Sequence, residues 1–510
     1  MDSKLQVADS AVNHLRYRRQ FLLSTDPGHV LPGSGRVLVA GCYHVSAHPD
    51  LELTHVERDG KSLTLLGFAL DPDSPQSGNE RILLHLMDFA DSPGEIIRAT
   101  DTLGGRWVLI VHNGRETMVL QDATGQRQVY YVRDPKGGTT VCASEVGVMA
   151  EQLGLTMDAD AVDFIRSRKS DDFEIYWMPG DTSLYAGIAA LLPNHYLSLV
   201  DGSCHRFPPL LPPAPMTPPQ ALAECVRLLK GQIESARARY PLAIPMTAGW
   251  DSRLMLALNQ DHAADIYAFT LAYPHLPAGS MDVAVPARLL EKLGIGHHVI
   301  PYPKTLDAAF KEIFRQNNAS ANNAYCGDIQ ALHVHYPGER VCVTGDAAEI
   351  VKCYYERTCP QKQPVSAAEL AEFSRLGKHP FAVRAFGRWL EDAGSPPIDL
   401  LDLFCWEQMA GRWQSKIRAE FDMVQESFAP LNNRRLLGIL LSVDADRRRA
   451  PGFGFFADLI EALWPEALSE PINPPESLSR SRRVLNVIRK TGVLKLVPDA
   501  AKEKVREMLR

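Results

Sequence analysis

The stretch Pro245-Met246-Thr247-Ala248-Gly249-Trp250-Asp251-Ser252-Arg253-Leu254 carries residue types suited to anion chemistry. A short apolar run, Leu242-Ala243-Ile244, enters a small-residue turn, then Asp-Ser, then a helix-like run ending Leu254-Met255-Leu256-Ala257-Leu258. A strand, a tight turn and a helix N-terminus together make an anion site, because free N–H groups point outward there and the helix dipole adds positive potential. Thr247, Ala248 and Gly249 keep the backbone open to a phosphate, and Asp251 could bind a magnesium ion bridging phosphate oxygens. Further on, Arg340-Val341-Cys342-Val343-Thr344 runs into Gly345-Asp346-Ala347-Ala348-Glu349, a second strand ending in small residues and two acids. Helix capping and first-turn acids explain that second segment taken alone. Two such strand ends, each offering a carboxylate, could hold one Mg²⁺ on a triphosphate between them.

The elements that must position these residues follow from patterning. Residues 36 to about 200 are rich in short apolar or β-branched runs bounded by turn residues: 36–40, 63–68, 107–111 and 118–120. Gly137-Gly138 separates Val129–Val132 from Thr139–Cys142 and predicts a hairpin. Residues 80–89 and 146–153 read as helices. The proline-dense segment 207–219 predicts an extended linker, since proline continues neither a helix nor an inner strand, and 224–236 reads as an amphipathic helix. Beyond the linker, strand-like runs at 242–246, 266–270, 297–301 and 340–344 alternate with helix-like runs at 252–259, 283–293 and 305–315. That alternation predicts a doubly wound parallel α/β sheet, in which ligands sit at the carboxyl ends of strands. Residues 365–442 and 455–510 read as mainly helical.

The loop resembles the pyrophosphate loop of N-type ATP pyrophosphatases, Ser-Gly-Gly-x-Asp-Ser, with Thr247 for the Ser and Ala248 for the first Gly. The whole chain resembles the asparagine synthetase superfamily. Gly345-Asp346-Ala347-Ala348-Glu349-Ile350 follows that family's Gly-Asp-Gly-Ala-Asp-Glu, with Glu349 at the metal-ligand aspartate and Ile350 replacing the last Glu. Ala268-Phe269-Thr270-Leu271 matches its nucleotide-contacting strand. Met281-Asp282-Val283-Ala284 through His297-His298 matches the helix and strand after it. Phe428-Ala429-Pro430-Leu431-Asn432-Asn433-Arg434 resembles its Pro-Phe-Leu-Asp-Arg segment. Leu103–Val108, Gln121–Tyr131, Ala143–Glu145 and Leu191–His195 follow strands of its glutaminase domain.

The resemblance implies a β-rich, N-terminal-nucleophile-type amidohydrolase-like α+β domain over 1–206 and a linker over 207–219. It implies an ATP pyrophosphatase domain with a helical C-terminal region over 220–510. Its ATP and pyrophosphate would lie on Thr247, Ala248, Gly249, Asp251, Ser252, Phe269, Thr270 and Gly345, with Mg²⁺ on Asp251 and Glu349. The family's glutaminase uses an N-terminal cysteine, whereas residue 2 here is Asp and the first cysteine is Cys42. The expectation is a first domain that does not hydrolyse glutamine, as in β-lactam synthetase and the lasso peptide cyclases. The reaction implied is adenylation of a carboxylate, then amide formation with an amine of a small molecule, sugar or peptide. By the same comparison Glu407 matches the glutamate of a Tyr–Glu pair whose tyrosine falls at Asp346, and Arg447, with Arg448 and Arg449, falls near a transition-state lysine. A catalytically silent scaffold that keeps the fold is the alternative, motivated by the Gly-to-Ala changes and Ile350.

Composition bounds these readings. At 510 residues the chain exceeds one ordinary core. A net charge of −7 gives no reason to expect nucleic acid. No apolar run is long enough for a membrane span. Nine dispersed cysteines without a CxxC pair read as reduced thiols in the cytoplasm, and Cys353 with Cys359 lacks the partners of a zinc site. The basic tail, Arg480 to Lys495, reads as a solvated helix face. A homodimer is compatible with all of this.

Overall fold

The computed structural model describes residues 12–475 apart from 35, 41, 134–137, 169–176, 213, 274–275, 277–278, 321–324 and 358–364. Asp2, Gly137, Cys359 and the basic tail therefore lie outside the described residues.

Among the described residues, twelve strands build the first half. In chain order they are β1 (Phe21–Ser24), β2 (Arg36–Ala40), β3 (Tyr43–Ala47), β4 (Leu53–Arg58), β5 (Lys61–Leu70), β6 (Gly104–His112), β7 (Thr117–Gln121), β8 (Tyr130–Arg133), β9 (Thr140–Ala143), β10 (Ala189–Ala190), β11 (His195–Ser198) and β12 (Cys204–Arg206). They form two antiparallel six-stranded sheets, ordered β10-β8-β9-β1-β3-β2 and β12-β11-β7-β6-β5-β4. Period-two alternation explains why the sheets stack. Along β6, Val108 and Ile110 join the core between the sheets, with Phe21, Leu23 and Val45. Leu109 and Val111 point the other way, onto the helices Asn79–Leu86 and Pro93–Ala99. The first sheet is covered on its outer face by the helix Val146–Leu153. The result is a helix–sheet–sheet–helix sandwich. The expected hairpin is present as β8 and β9, with Tyr130 opposite Ala143.

Among the described residues, five strands build the second half: β13 (Leu242–Pro245), β14 (Tyr267–Leu271), β15 (His297–Ile300), β16 (Val341–Val343) and β17 (Ser427–Phe428). All are parallel, in the order β15-β14-β13-β16-β17. The short β17 lies in a segment expected to be helical; two residues are too few to leave a periodic signal. Both sheet faces are covered. Leu242, Ile244, Ala268, Val341 and Val343 enter one core, and Ala243, Phe269, Ile300 and Cys342 enter the other, beside the helices Ala308–Asn317 and Cys326–His335. The proline-rich stretch ends earlier than its composition predicts. Pro218 and Pro219 form the first turn of the helix Pro218–Arg237, capped by Thr217 with Gln220. Proline is tolerated there because first-turn N–H groups have no partner within the helix. Among the described residues, no helix is long and apolar enough to cross a membrane.

Candidate active site

The chain leaves β13 toward β14 on one side, while β16 lies on the other. The sheet order therefore reverses between β13 and β16, and a crevice forms outside their carboxyl ends. The two segments singled out by sequence leave from those two ends. After β13, the loop Met246–Gly249 leads into the helix Trp250–Ala257. After β16, Thr344–Ala347 leads into the 3₁₀ turn Ala348–Val351.

The loops touch. A methyl group on Gly345 would stand 2.6 Å from Asp251 Cβ, so only glycine lets the second loop approach this closely. Ala347 has φ +68°, a left-handed backbone that favours glycine, and its N–H donates to Gln414 Oε1 at 3.0 Å. Gln414 Nε2 donates to Glu349 Oε2 at 2.8 Å, fixing that carboxylate. Burial first, and then the charge of Asp251, push the Glu349 carboxyl up to about 7. Lys352 is bonded through Nζ to Asp251 Oδ1, and its charge also acts on Glu349, opposing the rise. Its ammonium lies 4.9 Å from the Phe456 ring centre and 5.6 Å from that of Phe453. Trp250 meets Phe453 edge-on, with ring centres 6.1 Å apart.

Side chains hold the anion loop in shape. Ser252 Oγ donates to the carbonyls of Thr247 and Gly249, and the Thr247 hydroxyl accepts the Gly249 N–H at 3.2 Å. The Ala248 N–H donates to Asp282 Oδ1 at 3.0 Å, so an aspartate carboxylate occupies one donor of the cradle. Buried Arg253 donates to the carbonyls of Ala467, Glu470 and Pro471, and the Asn473 N–H donates to the Ala248 carbonyl. These bonds clamp a distant segment beside the loop. Burial pushes the Arg253 guanidinium down to about 10.

Magnesium asks for oxygen ligands, commonly one or two carboxylates together with substrate phosphates and water. Asp251 and Glu349 at one crevice fit that donor set. Among the described residues no group of three or more His, Cys, Asp and Glu side chains converges.

The other sequence-derived candidates are placed differently. Asp346 Oδ2 accepts the Thr344 hydroxyl at 3.0 Å and lies 3.1 Å from Arg418 Nε, which neutralises it. Phe269 is core, its ring 5.4 Å from that of Tyr336. The Thr270 hydroxyl donates to the Met246 carbonyl and bonds His297. Phe269 packs in the core, and Thr270 ties β14 to the start of the Met246–Gly249 loop.

Glu407 needs correction. It is fully buried, bonded by Arg206 at 2.5 and 2.9 Å, by Trp389 Nε1 at 2.8 Å and by Asn194 Nδ2 at 3.2 Å. A carboxylate with four donors and a bidentate arginine is a structural ion pair, not a base for an amine. Arg447 is corrected too: it pairs with Asp458, while Arg448 pairs with Asp402 and Arg449 with Glu356 and Asp446. Each of the three arginines already has its own carboxylate.

Lys352, Asp282 and Gln414 were not assigned from sequence. Lys352 left one signal, a lone cation in the apolar run Ile350-Val351-Lys352-Cys353. Gln414 left none, being far from the loop in the chain.

Comparison with known proteins adds little. No protein-family model matches the chain, and no curated protein matches it. Loose likenesses to solved structures exist. NMN synthetase from Francisella tularensis is 17% identical, with a TM-score of 0.19, over 27% of this chain and 59% of that one. Glutamine phosphoribosylpyrophosphate amidotransferase from B. subtilis, complexed with ADP and GMP, is 14% identical, with a TM-score of 0.24, over 71% and 75%. Glutamine-dependent NAD⁺ synthetase from Acinetobacter baumannii, in complex with ADP, is 14% identical, with a TM-score of 0.21, over 49% and 55%. Superpositions this loose carry no functional argument.

Proposed function

We propose that the protein is an ATP-dependent, AMP-forming amide synthetase of the asparagine synthetase type, which activates a carboxylate for an amine it does not generate. One observation carries this reading: Asp251 and Glu349 meet at the reversal point of a parallel sheet, beside a small-residue loop entering a helix N-terminus. Asp251 and Glu349 would hold Mg²⁺, which neutralises phosphate charge and orients the α-phosphorus for attack. The N–H groups of Thr247–Ser252 would hold the leaving pyrophosphate. The substrate carboxylate oxygen attacks the α-phosphorus and pyrophosphate leaves. An amine then attacks the acyl carbon, AMP departs with the bonding electron pair, and the amine loses a proton. Positioning and charge neutralisation account for the catalysis.

The amine source follows from the first half of the chain. Residue 2 is Asp where the resembled glutaminase carries its cysteine; Cys142 is buried inside a sheet, burial raises the Cys204 thiol to about 12, and Cys42 lies exposed in the turn between β2 and β3. An unactivated thiol is a poor nucleophile. We therefore expect no glutaminase activity.

A catalytically silent scaffold is the second reading, favoured by the Asp282 carboxylate on the Ala248 N–H and the Lys352 ammonium on Asp251. Pyrophosphate exchange with ATP, Mg²⁺ and a carboxylate library separates the two. Exchange that disappears in Asp251→Asn, with the circular dichroism spectrum unchanged, supports the synthetase. No exchange with any carboxylate supports the scaffold. Glutamate released from added glutamine would overturn the inactive first domain.

A further inference from the structure

The crevice is internally satisfied, with a cation on its metal-binding carboxylate and an anion on its phosphate-binding loop. Lys352 Nζ bonds Asp251 Oδ1, and its side chain is only 7% exposed against 33% for Asp251. The faces of Phe453 and Phe456 hold the ammonium in place by their π charge. Asp282, in the first turn of the helix Met281–Lys292, holds the Ala248 N–H at 3.0 Å. The two occupants come from different elements and carry opposite charge.

We propose, building on the synthetase reading, that Lys352 is a resident counter-ion which keeps divalent metal off Asp251 in the absence of nucleotide and yields Asp251 only when a nucleotide triphosphate arrives. The charge balance explains how. Asp251 and Glu349 with Lys352 carry at most one net negative charge, so a divalent ion arriving alone must displace an ammonium already in contact. A triphosphate brings several negative charges. It displaces Asp282 from Ala248 and offers oxygens to Lys352, and Asp251 is then free for the metal. Metal and nucleotide therefore bind with positive coupling, each improving the other by the same factor.

The test is Mn²⁺ binding, read by electron paramagnetic resonance, to the full-length protein. Mn²⁺ is added alone and then with α,β-methylene-ATP, which cannot be cleaved at the α-phosphorus. Lys352→Met keeps the length and apolar stem of the side chain between the two phenylalanines. It should bind Mn²⁺ alone at least about tenfold more tightly than wild type and show weaker coupling to the analogue. Lys352→Arg keeps the charge and should behave as wild type. Lys352→Gln serves if the methionine variant does not fold. Equal Mn²⁺ affinity of wild type and the neutral variants without nucleotide overturns the proposal while leaving the metal site standing. Absence of Mn²⁺ binding to every form, even with the analogue, overturns the metal site and the proposal with it. Loss of Mn²⁺ from Lys352→Met on adding Asp251→Asn places the ion on Asp251.

Discussion

Two residues show how narrowly the crevice is tuned. Gly345 is required for the approach of its loop to Asp251, since an added methyl would lie 2.6 Å from Asp251 Cβ. Gly345→Ala should leave the fold intact yet displace Asp251 and lower pyrophosphate exchange by roughly 100-fold, the usual cost of an ångström-scale misplacement. Circular dichroism and exchange kinetics together check this. Asp328, on the helix behind β14 and β15, is buried with Oδ1 unbonded, and burial pushes its carboxyl up to about 6. A carboxyl raised in the folded state makes the fold bind more protons than the unfolded chain. Stability attributable to Asp328 is then present below about pH 4 and lost as pH rises through about 6. Asp328→Asn should remove that slope and raise stability at pH 7 by roughly 1–3 kcal/mol, read from urea unfolding at pH 4 and 7.

At the scale of elements, the π-helical segment Cys405–Gln414 joins the two halves of the chain. Trp406 donates to the Ala123 carbonyl, Gln408 accepts the Gly180 N–H, Arg412 donates to the carbonyls of Met178 and Thr182, and Gln414 fixes Glu349. Glu407 completes this set through Arg206 at the end of the sandwich. Glu407→Gln leaves Arg206 only the half-exposed Asp392 as counter-charge, at 2.7 Å, and should cost about 1–3 kcal/mol of stability. Under conditions where the variant stays folded, pyrophosphate exchange should match wild type. A loss of exchange without a loss of stability would return Glu407 to the chemistry.

At the scale of the molecule, the two halves share buried charge. Arg106 pairs with Asp422 through both Nη atoms and lies 3.1 Å from Glu426. Arg127 pairs with Glu426 at 3.0 Å, and Arg19 lies 3.4 Å from it. Nearby, Asn432 bonds Thr124, Gly105 and Asp122, and Arg434 donates to the Gln121 carbonyl. Asn432 and Arg434 thus set the Phe428–Arg434 motif against Gln121–Tyr131, while the Phe428 carbonyl accepts the Thr344 N–H at the start of the second crevice loop. Arg106→Met should cost about 3–5 kcal/mol, because it removes both hydrogen bonds to buried Asp422 and leaves it only Arg127, 3.8 Å away, and the loss should change little with salt. Because these contacts link residues some 300 positions apart in the chain, thermal unfolding of the wild type should be one transition by fluorescence and circular dichroism.

Alternation of apolar runs was enough to predict the parallel sheet, the hairpin of β8 and β9, and the two acid-bearing strand ends, because these features are local in the chain. Periodicity and small-residue turns also placed Asp251 and Glu349 at strand ends, where backbone topology then brings them together. The length of the proline linker and the two residues of β17 were misjudged, because capping by Thr217 and pairing with β16 decide them, not composition. Side-chain partnership was not legible at all. The resemblance gives Glu407 and Arg447 catalytic roles, whereas the fold sets Arg206 and Asp458 against them, and the apolar run around Lys352 does not show that its partner is Asp251. Whether a charged group acts or is neutralised depends on what folds next to it, and those neighbours come from far along the chain. The sequence alone determined the strand-loop-helix that can cradle an anion. Only the tertiary structure decided that Lys352 stands on Asp251 and Asp282 on Ala248, so that the carboxylate and the loop N–H each already hold a partner.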